Sequence, residues 1–455
     1  MLSDSSILNR KDTLIILTYA IAGFGHLRVT DALYHEIKDN SNTVFFNTDN
    51  KIITYFHETI SLHPAARAVF EWAQSGKPED TYTFLFRTLL KKDSNRLLKR
   101  FISVLNQAKK PLRTVIVVAT HFLLAHQIAQ IRDKIEKEGK VRLFLFVQVT
   151  DDSPQHIWYV PGVDLTFAPS EYTKKGLLDY GKKARLAPIK VKVIPYPVSE
   201  TLTQKLTNER NKYKLSQFMP DSTDKIKIMV PISGAAVGMD YFIDFAEALF
   251  KQSQRFNLHI LLKKTPYTQF FIKKLRNYNL IDLNYFKKDT KVVDEYENKY
   301  KRVTFGYEIT KPSEQAFKAL IKVSSIGGPI LLFTNPVGRQ EYDNLNFLGR
   351  HHLIPSINDQ KYLWEASLKD LSLDNLEGKE ILKRASLWRG ILLFKDPKKS
   401  VTLMLWCLEQ GIFKEMGNCM IEHKREDAHS EEIMPDGASK FWQNIDIYLK
   451  DNKKI

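Results

Sequence analysis

Apolar runs of strand length recur along the chain, and many are followed by stretches in which apolar residues return at helical spacing. That alternation is the pattern of parallel α/β sheets. Strands are expected at 13–19, 114–120, 143–150, 164–169 and 191–196, and again at 226–232, 258–263, 303–306 and 329–334. Between the two groups, SETLTQKLTNERNKYKLSQFMPDSTDK is polar and poor in strand formers, as a linker with room for one short helix would be. The expected organisation is an N-terminal domain at 1–200, a linker at 201–225, a second domain at 226–395 and a helical extension at 396–455.

The two halves open alike. TLIILTYAIAGFGHLRVTDAL begins the first and KIKIMVPISGAAVGMDYFIDFAEAL the second, each a strand, a glycine-containing turn and an amphipathic helix. Glycine lets the backbone turn sharply and approach a ligand, and a helix N-terminus offers N–H donors to an anion. Gly25, Gly234 and Gly238 are the candidates, although neither turn completes a GxGxxG pattern. Two Rossmann-like domains facing each other across a cleft are the expected architecture, in fold class α/β.

Composition narrows the partners. The 455 residues carry 68 Lys and Arg against 52 Asp and Glu, a formal charge of +16. Nucleic acid, anionic lipid and anionic small substrates all suit such a surface, as does a merely lysine-rich exterior. No motif for reading RNA or DNA is present, so no nucleic-acid partner is expected. Cys407 and Cys419 form no CxxC pair, and no His/Cys cluster has metal-ligand spacing, so neither a disulfide framework nor a metal is expected. The polar opening MLSDSSILNR and the lack of a long apolar run lead to the expectation of a cytoplasmic protein without a membrane span.

Four segments, in order, carry a family resemblance: AGFGHLRVTDAL; THFLLAHQIA; VTDDSPQHIWYVPGVDLTFAPSEYTKKGLLDYG with VKVIPYPV; and PILLFTNPVGRQEYDNLNFL. The third is the most specific, with its Thr-Asp, His, Trp, Pro-Gly-Val-Asp, Pro-Ser-Glu and closing Pro-Val. Together they resemble the glycosyltransferases that make monogalactosyldiacylglycerol and, more distantly, the enzyme that adds N-acetylglucosamine to the bacterial cell-wall lipid precursor. The resemblance implies a GT-B fold and transfer of a sugar, with inversion, from a UDP-linked donor to a hydroxyl of a lipid or lipid-like acceptor. It implies no cofactor beyond the nucleotide sugar itself as co-substrate.

On this resemblance, His26 is the candidate base that takes the acceptor's proton, or else an orienting residue of the turn. His121 sits just beyond the run TVIVVA, where ligands bind in open α/β sheets, and lines the site or is a buried histidine. Asp151 and Asp152 end LFLFVQVT in the same way, either one a candidate to orient His26 or to bind an acceptor hydroxyl. His156 and Trp158 follow in a loop, the indole stacking on a sugar or packing beneath the domain. In the second half Gly338, Gln340, Glu341 and Asn344 follow a strand, and the resemblance assigns Gln340 and Glu341 to the donor sugar. Helix capping is the other reading of both. The diphosphate is expected near Gly234 and Gly238 or near KPSE, assisted by Lys311.

One departure stands out. Where the family has a glycine-rich turn followed by a ribose-gripping Glu, this chain has ITKPSEQAFKALIKVSSIGG, in which Glu314 is the nearest acidic candidate. A nonhydrolysing sugar-nucleotide epimerase and a catalytically silent sugar- or nucleotide-binding protein therefore stay open beside the transferase. Finally, 91–113 puts Leu97, Phe101 and Leu105 on one helical face and Lys92, Arg96, Lys99 and Arg100 on the other. This is the pattern of peripheral contact with an anionic membrane, or of a surface helix packed on the core.

Overall fold

The computed structural model describes residues 7–19, 24–37, 39–47, 78–90, 94–108, 110–232, 238–418 and 430–452. The chain divides into two compact units, Met1–Glu200 with Asp427–Ile455, and Thr201–Glu426. Each holds a six-stranded parallel sheet with helices packed on it, so the chain is α/β with two Rossmann-like units, the domain content of the GT-B fold.

In the first unit the strands are β1 (Thr13–Tyr19), β2 (Thr43–Asn47), β3 (Thr114–Ala119), β4 (Arg142–Gln148), β5 (Leu165–Ala168) and β6 (Val191–Val193), in the order β2-β1-β3-β4-β5-β6. β1 and β3 are buried along their whole length, which is why TLIILTY and TVIVVA read as unbroken apolar runs rather than alternating ones. From β1 the chain steps one way to β2 and then crosses to the other side for β3. The switch point of the sheet therefore lies at the C-terminal ends of β1 and β3.

The second unit repeats the plan with β7 (Ile226–Pro231), β8 (Phe256–Lys263), β9 (Ile281–Phe286), β10 (Tyr307–Thr310), β11 (Ile330–Phe333) and β12 (Gly390–Leu392), ordered β12-β11-β10-β7-β8-β9. Its switch point lies between β7 and β10.

Several expectations change. Strands β2, β9 and β12 were not anticipated, and all three lie at sheet edges. The strand expected at 303–306 runs at 307–310 instead; Glu308, fully buried inside it, interrupts the apolar run by which a buried strand is read. Helix Asn208–Ser216 forms in the expected linker and belongs to the second unit. The expected extension at 396–455 divides. Helix Pro397–Glu409 packs in the second core, whereas helix Gly437–Asp451 belongs to the first unit. There Trp442 Nε1 donates to Leu33 O at 2.8 Å, Tyr448 donates to Asp164 at 3.2 Å, and Phe441 packs on Phe167 with ring centroids 4.6 Å apart.

Helix Ser94–Asn106 has its apolar face in the first unit's core. Leu97, Phe101 and Leu105 are all buried, so that face is already occupied and is not left for a bilayer. Arg96 and Lys99 are exposed, Arg100 lies over the Phe46 ring at 4.9 Å, and Lys92 falls outside the described residues. Among the described residues no helix is long and apolar enough to cross a membrane.

Candidate functional site

The first unit gathers polar side chains at its switch point. Helix Phe24–His35 places Gly25 and His26, both half-buried, in its first turn, just beyond β1. His26 Nδ1 lies 2.8 Å from the carbonyl oxygen of Thr120, the residue that follows β3, and 3.2 Å from the Thr150 hydroxyl beyond β4. A carbonyl oxygen only accepts, so Nδ1 carries the proton and donates it there. In the neutral ring this leaves the lone pair on Nε2, the tautomer a proton acceptor requires.

The frame around His26 is built from threonines. Thr30 donates to His26 O at 2.7 Å, its hydroxyl lies 2.8 Å from that of Thr120, and the Thr120 hydroxyl donates to Thr18 O at 3.1 Å. Hydroxyls can satisfy one another and nearby carbonyls inside a core, so the turn is fixed without a buried charge.

His121 packs edge-on against His26, with ring centroids 4.6 Å apart and planes at 79°. It is buried at 1% exposure and caps helix Phe122–Gly139, its Nδ1 accepting the Leu123 N–H at 3.2 Å. Trp158, also 1% exposed, packs edge-to-face on Phe122 with centroids 5.4 Å apart and lies 6.4 Å from His26. It forms a wall behind His26 and presents no open face on which a sugar could stack.

Asp152 and His156 make contacts of their own. Asp152 is fully buried and accepts from the hydroxyls of Ser170 and Thr173, the latter at 2.8 Å, tying the end of β4 to the N-cap of helix Glu171–Lys183. Asp151 beside it is half-buried. His156 stacks on Tyr180 at 3.8 Å with planes 7° apart, and its Nδ1 lies 2.8 Å from Asp80. The sequence brings His26, His121, Thr150 and Trp158 together, while His156 is held among Glu79, Asp80 and Tyr180.

In the second unit the candidates sit at the C-terminal ends of β10 and β11. Gly338, at φ 80°, starts helix Arg339–Arg350, with half-buried Gln340 and Glu341 in its first turn. Glu341 accepts the Val337 N–H at 2.6 Å and receives Lys311 Nζ at 3.4 Å. Burial raises the pKa of its carboxyl, and the Lys311 charge and the Val337 N–H oppose that rise. Asn344 is fully buried and donates to Pro312 O at 3.3 Å. Lys311, Pro312, Glu341 and Asn344 are thus one connected group joining the loops after two adjacent strands. Glu341 ties the turn before this helix to Lys311, and it is also a candidate ligand.

Glu314 opens the 3-10 helix Glu314–Leu320 and is half-buried. Gly238, at φ 86°, caps helix Met239–Gln252, and Gly234 lies outside the described residues. Among the described residues no three His, Cys, Asp or Glu side chains are grouped to hold a metal ion.

Sequence reading missed two buried groups in this unit. Glu308 accepts from Tyr296 at 2.8 Å, from Tyr300, and from Lys318 at 2.5 Å, and Lys214 is enclosed by backbone carbonyls. The only signal in the chain was a charged residue beside strand or helix formers, and that has the same look when the residue is exposed.

No protein-family model matches the chain, and no curated protein matches it in sequence. Solved structures of similar fold include the S. aureus MnaA–UDP co-structure, at TM-score 0.49 and 11% identity, covering 96% of this chain and 97% of that one. The UDP-GlcNAc 2-epimerase from Neisseria meningitidis bound to UDP-GlcNAc follows at TM-score 0.47 and 11% identity, covering 95% and 99%. The Acinetobacter baumannii MurG structure gives TM-score 0.43 and 9% identity, covering 97% and 99%.

Proposed function

We propose that this protein is an inverting glycosyltransferase that moves a sugar from a nucleotide-linked donor, UDP-linked in our reading, to a hydroxyl of a lipid or lipid-like acceptor. The observation that carries the reading is the state of His26. Its Nδ1–H is committed to the Thr120 carbonyl, so Nε2 is the basic atom, on a half-buried ring at the switch point where α/β sheets bind ligands. The ordered motif resemblance supports it independently.

In the proposed step the acceptor oxygen attacks the anomeric carbon as Nε2 takes its proton. The bond from that carbon to the diphosphate oxygen breaks, and the nucleoside diphosphate leaves with the electron pair. The second unit's share is the donor: Lys311 and Gly238 at the start of helix Met239–Gln252 toward the diphosphate, Gln340 and Glu341 toward the sugar hydroxyls. Selectivity among sugars then comes from leaving those side chains unpaired when a hydroxyl is missing. Contact with an anionic membrane through 91–113 reduces to charge attraction by residues such as Arg96 and Lys99, since the apolar face of that helix is buried.

The test is a product assay. Purified protein is incubated with UDP-galactose, UDP-glucose and UDP-N-acetylglucosamine, with and without diacylglycerol vesicles, and products are identified by NMR. UDP release that requires the vesicles, with a glycolipid of inverted anomeric configuration, is the expected result. An epimerised sugar nucleotide formed without acceptor would replace the transferase with an epimerase. Donor binding without turnover across the panel would leave a binding protein.

A further inference from the structure

Lysine is rarely buried without a partner for its charge, yet Lys214 in helix Asn208–Ser216 is 0% exposed. Its Nζ donates to Val323 O at 2.9 Å, Ser325 O at 2.8 Å and Gly328 O at 3.2 Å. Among the described residues these three carbonyl oxygens are its partners, and they match the three protons of an ammonium. Burial lowers its pKa well below the usual lysine value, as do the nearby cations of Arg389, Lys318 and Arg210. Burial and those cations oppose the charge, and what opposes them is the set of three carbonyl oxygens, each of which can only accept and so requires its own N–H on Nζ.

Those oxygens all belong to the turn that follows the 3-10 helix Glu314–Leu320. The turn is unusually constrained. A Cβ on Gly328 would stand 1.9 Å from Lys322 O, and one on Gly327 would stand 2.5 Å from the Leu202 side chain. The same turn is stitched to the segment that opens the second unit. Leu206 N donates to Ser324 O at 2.9 Å, Ile326 N to Gln204 O at 2.8 Å and Gly327 N to Leu202 O at 2.8 Å. Lys205 and Ser325 form an antiparallel bridge. A second buried cation, Arg389, donates to Ile321 O. At its other end the stretch is tied to helix Arg339–Arg350 through Pro312 and Lys311.

We infer that Lys214 is an internal, covalently tethered cation on which the 321–328 turn and the 202–206 segment fold as one piece. It is a positioning residue for the 311–328 strap. Its carbonyl cage does for the backbone what a bound monovalent cation would do, with the ion supplied by the chain. This inference concerns the strap itself and holds whether or not the strap meets a sugar nucleotide.

Two variants test it. Lys214→Met keeps most of the volume and removes the three donors. Lys214→Ala deletes the side chain beyond Cβ, a fragment with the skeleton of propylammonium. The readouts are amide hydrogen exchange at Leu206, Ile326 and Gly327, and thermal unfolding with propylammonium chloride or tetramethylammonium chloride added.

In Lys214→Met those three amides should exchange at least about tenfold faster, with β8 amides at wild-type rates, because the loosening is local. Lys214→Ala should loosen the same amides and recover with propylammonium but not with tetramethylammonium, which has no N–H to donate. Wild-type exchange at the three amides in Lys214→Met would overturn the inference, as would equal acceleration throughout β8. If Lys214→Ala does not fold, Lys214→Met decides alone by the same criteria. If it folds, an equal response to the two salts would also overturn the inference.

Discussion

Three histidines of the first unit show how far surroundings decide what one residue type can do. His26 is half-buried with Nδ1–H donated to a carbonyl, and His121 is spent on a helix N-terminus. His126, 4% exposed, donates Nε2–H to Ile157 O at 2.8 Å, and its pKa is pushed down to about 3 by burial first and by the Arg87 charge second. The unfolded chain takes up a proton at this residue near pH 6.5, whereas the folded chain resists it until about pH 3. Between those values the unfolded state binds more protons, so stability falls as pH drops through the window, by up to about 1.4 kcal/mol per unit. His126→Gln removes this titration. Urea unfolding of the variant between pH 6 and 4 should show a shallower loss than wild type, and parallel slopes would rule the contribution out. Residues such as His26 were legible because position after a strand is visible in sequence. Lys214 and Glu308 were not: Lys214 is made interior by carbonyls more than 100 residues along the chain, such as Val323 O, and Glu308 by a pocket of Tyr296, Tyr300 and Lys318 that no spacing in the sequence marks.

At the scale of elements, legibility follows burial. The central strands β1, β3, β4, β7 and β8 read as apolar runs because both faces are covered. Edge strands β2 and β9 are only partly buried and read as mixed sequence, and β12 is three residues long. The amphipathic pattern of helix Ser94–Asn106 was clear, but periodicity alone cannot say whether a core or a bilayer takes the apolar face. Docking of helix Gly437–Asp451 was equally hidden, because it depends on a close approach of backbone. A Cβ on Gly437 would stand 2.2 Å from Pro195 O and 2.5 Å from Tyr196 O, whereas one on Gly349 meets nothing within 4 Å. Gly437→Ala should therefore lower stability by about 1–3 kcal/mol, and Gly349→Ala should leave it unchanged or raise it by up to ~1 kcal/mol. Equal unfolding midpoints for the two variants would contradict this packing.

Across the whole molecule, one plan is used twice. Each unit reverses the direction in which it adds strands, and in each the site residues emerge at the C-terminal ends of a strand at that reversal or of the next strand along: His26, His121 and Thr150 in the first, Lys311, Gln340 and Glu341 in the second. The repetition was legible in the matching openings of the two halves. The return of the last helix to the first unit was not, because nothing in a helical pattern names its partner. The central claim is that His26 Nε2 takes the acceptor's proton, and the most direct measurement is the rate of acceptor-dependent UDP release by wild type and by His26→Ala, with folding matched by circular dichroism. The predicted result is a loss of about 100- to 10,000-fold with UDP binding unchanged. A folded His26→Ala protein that turns over within a few-fold of wild type would contradict it.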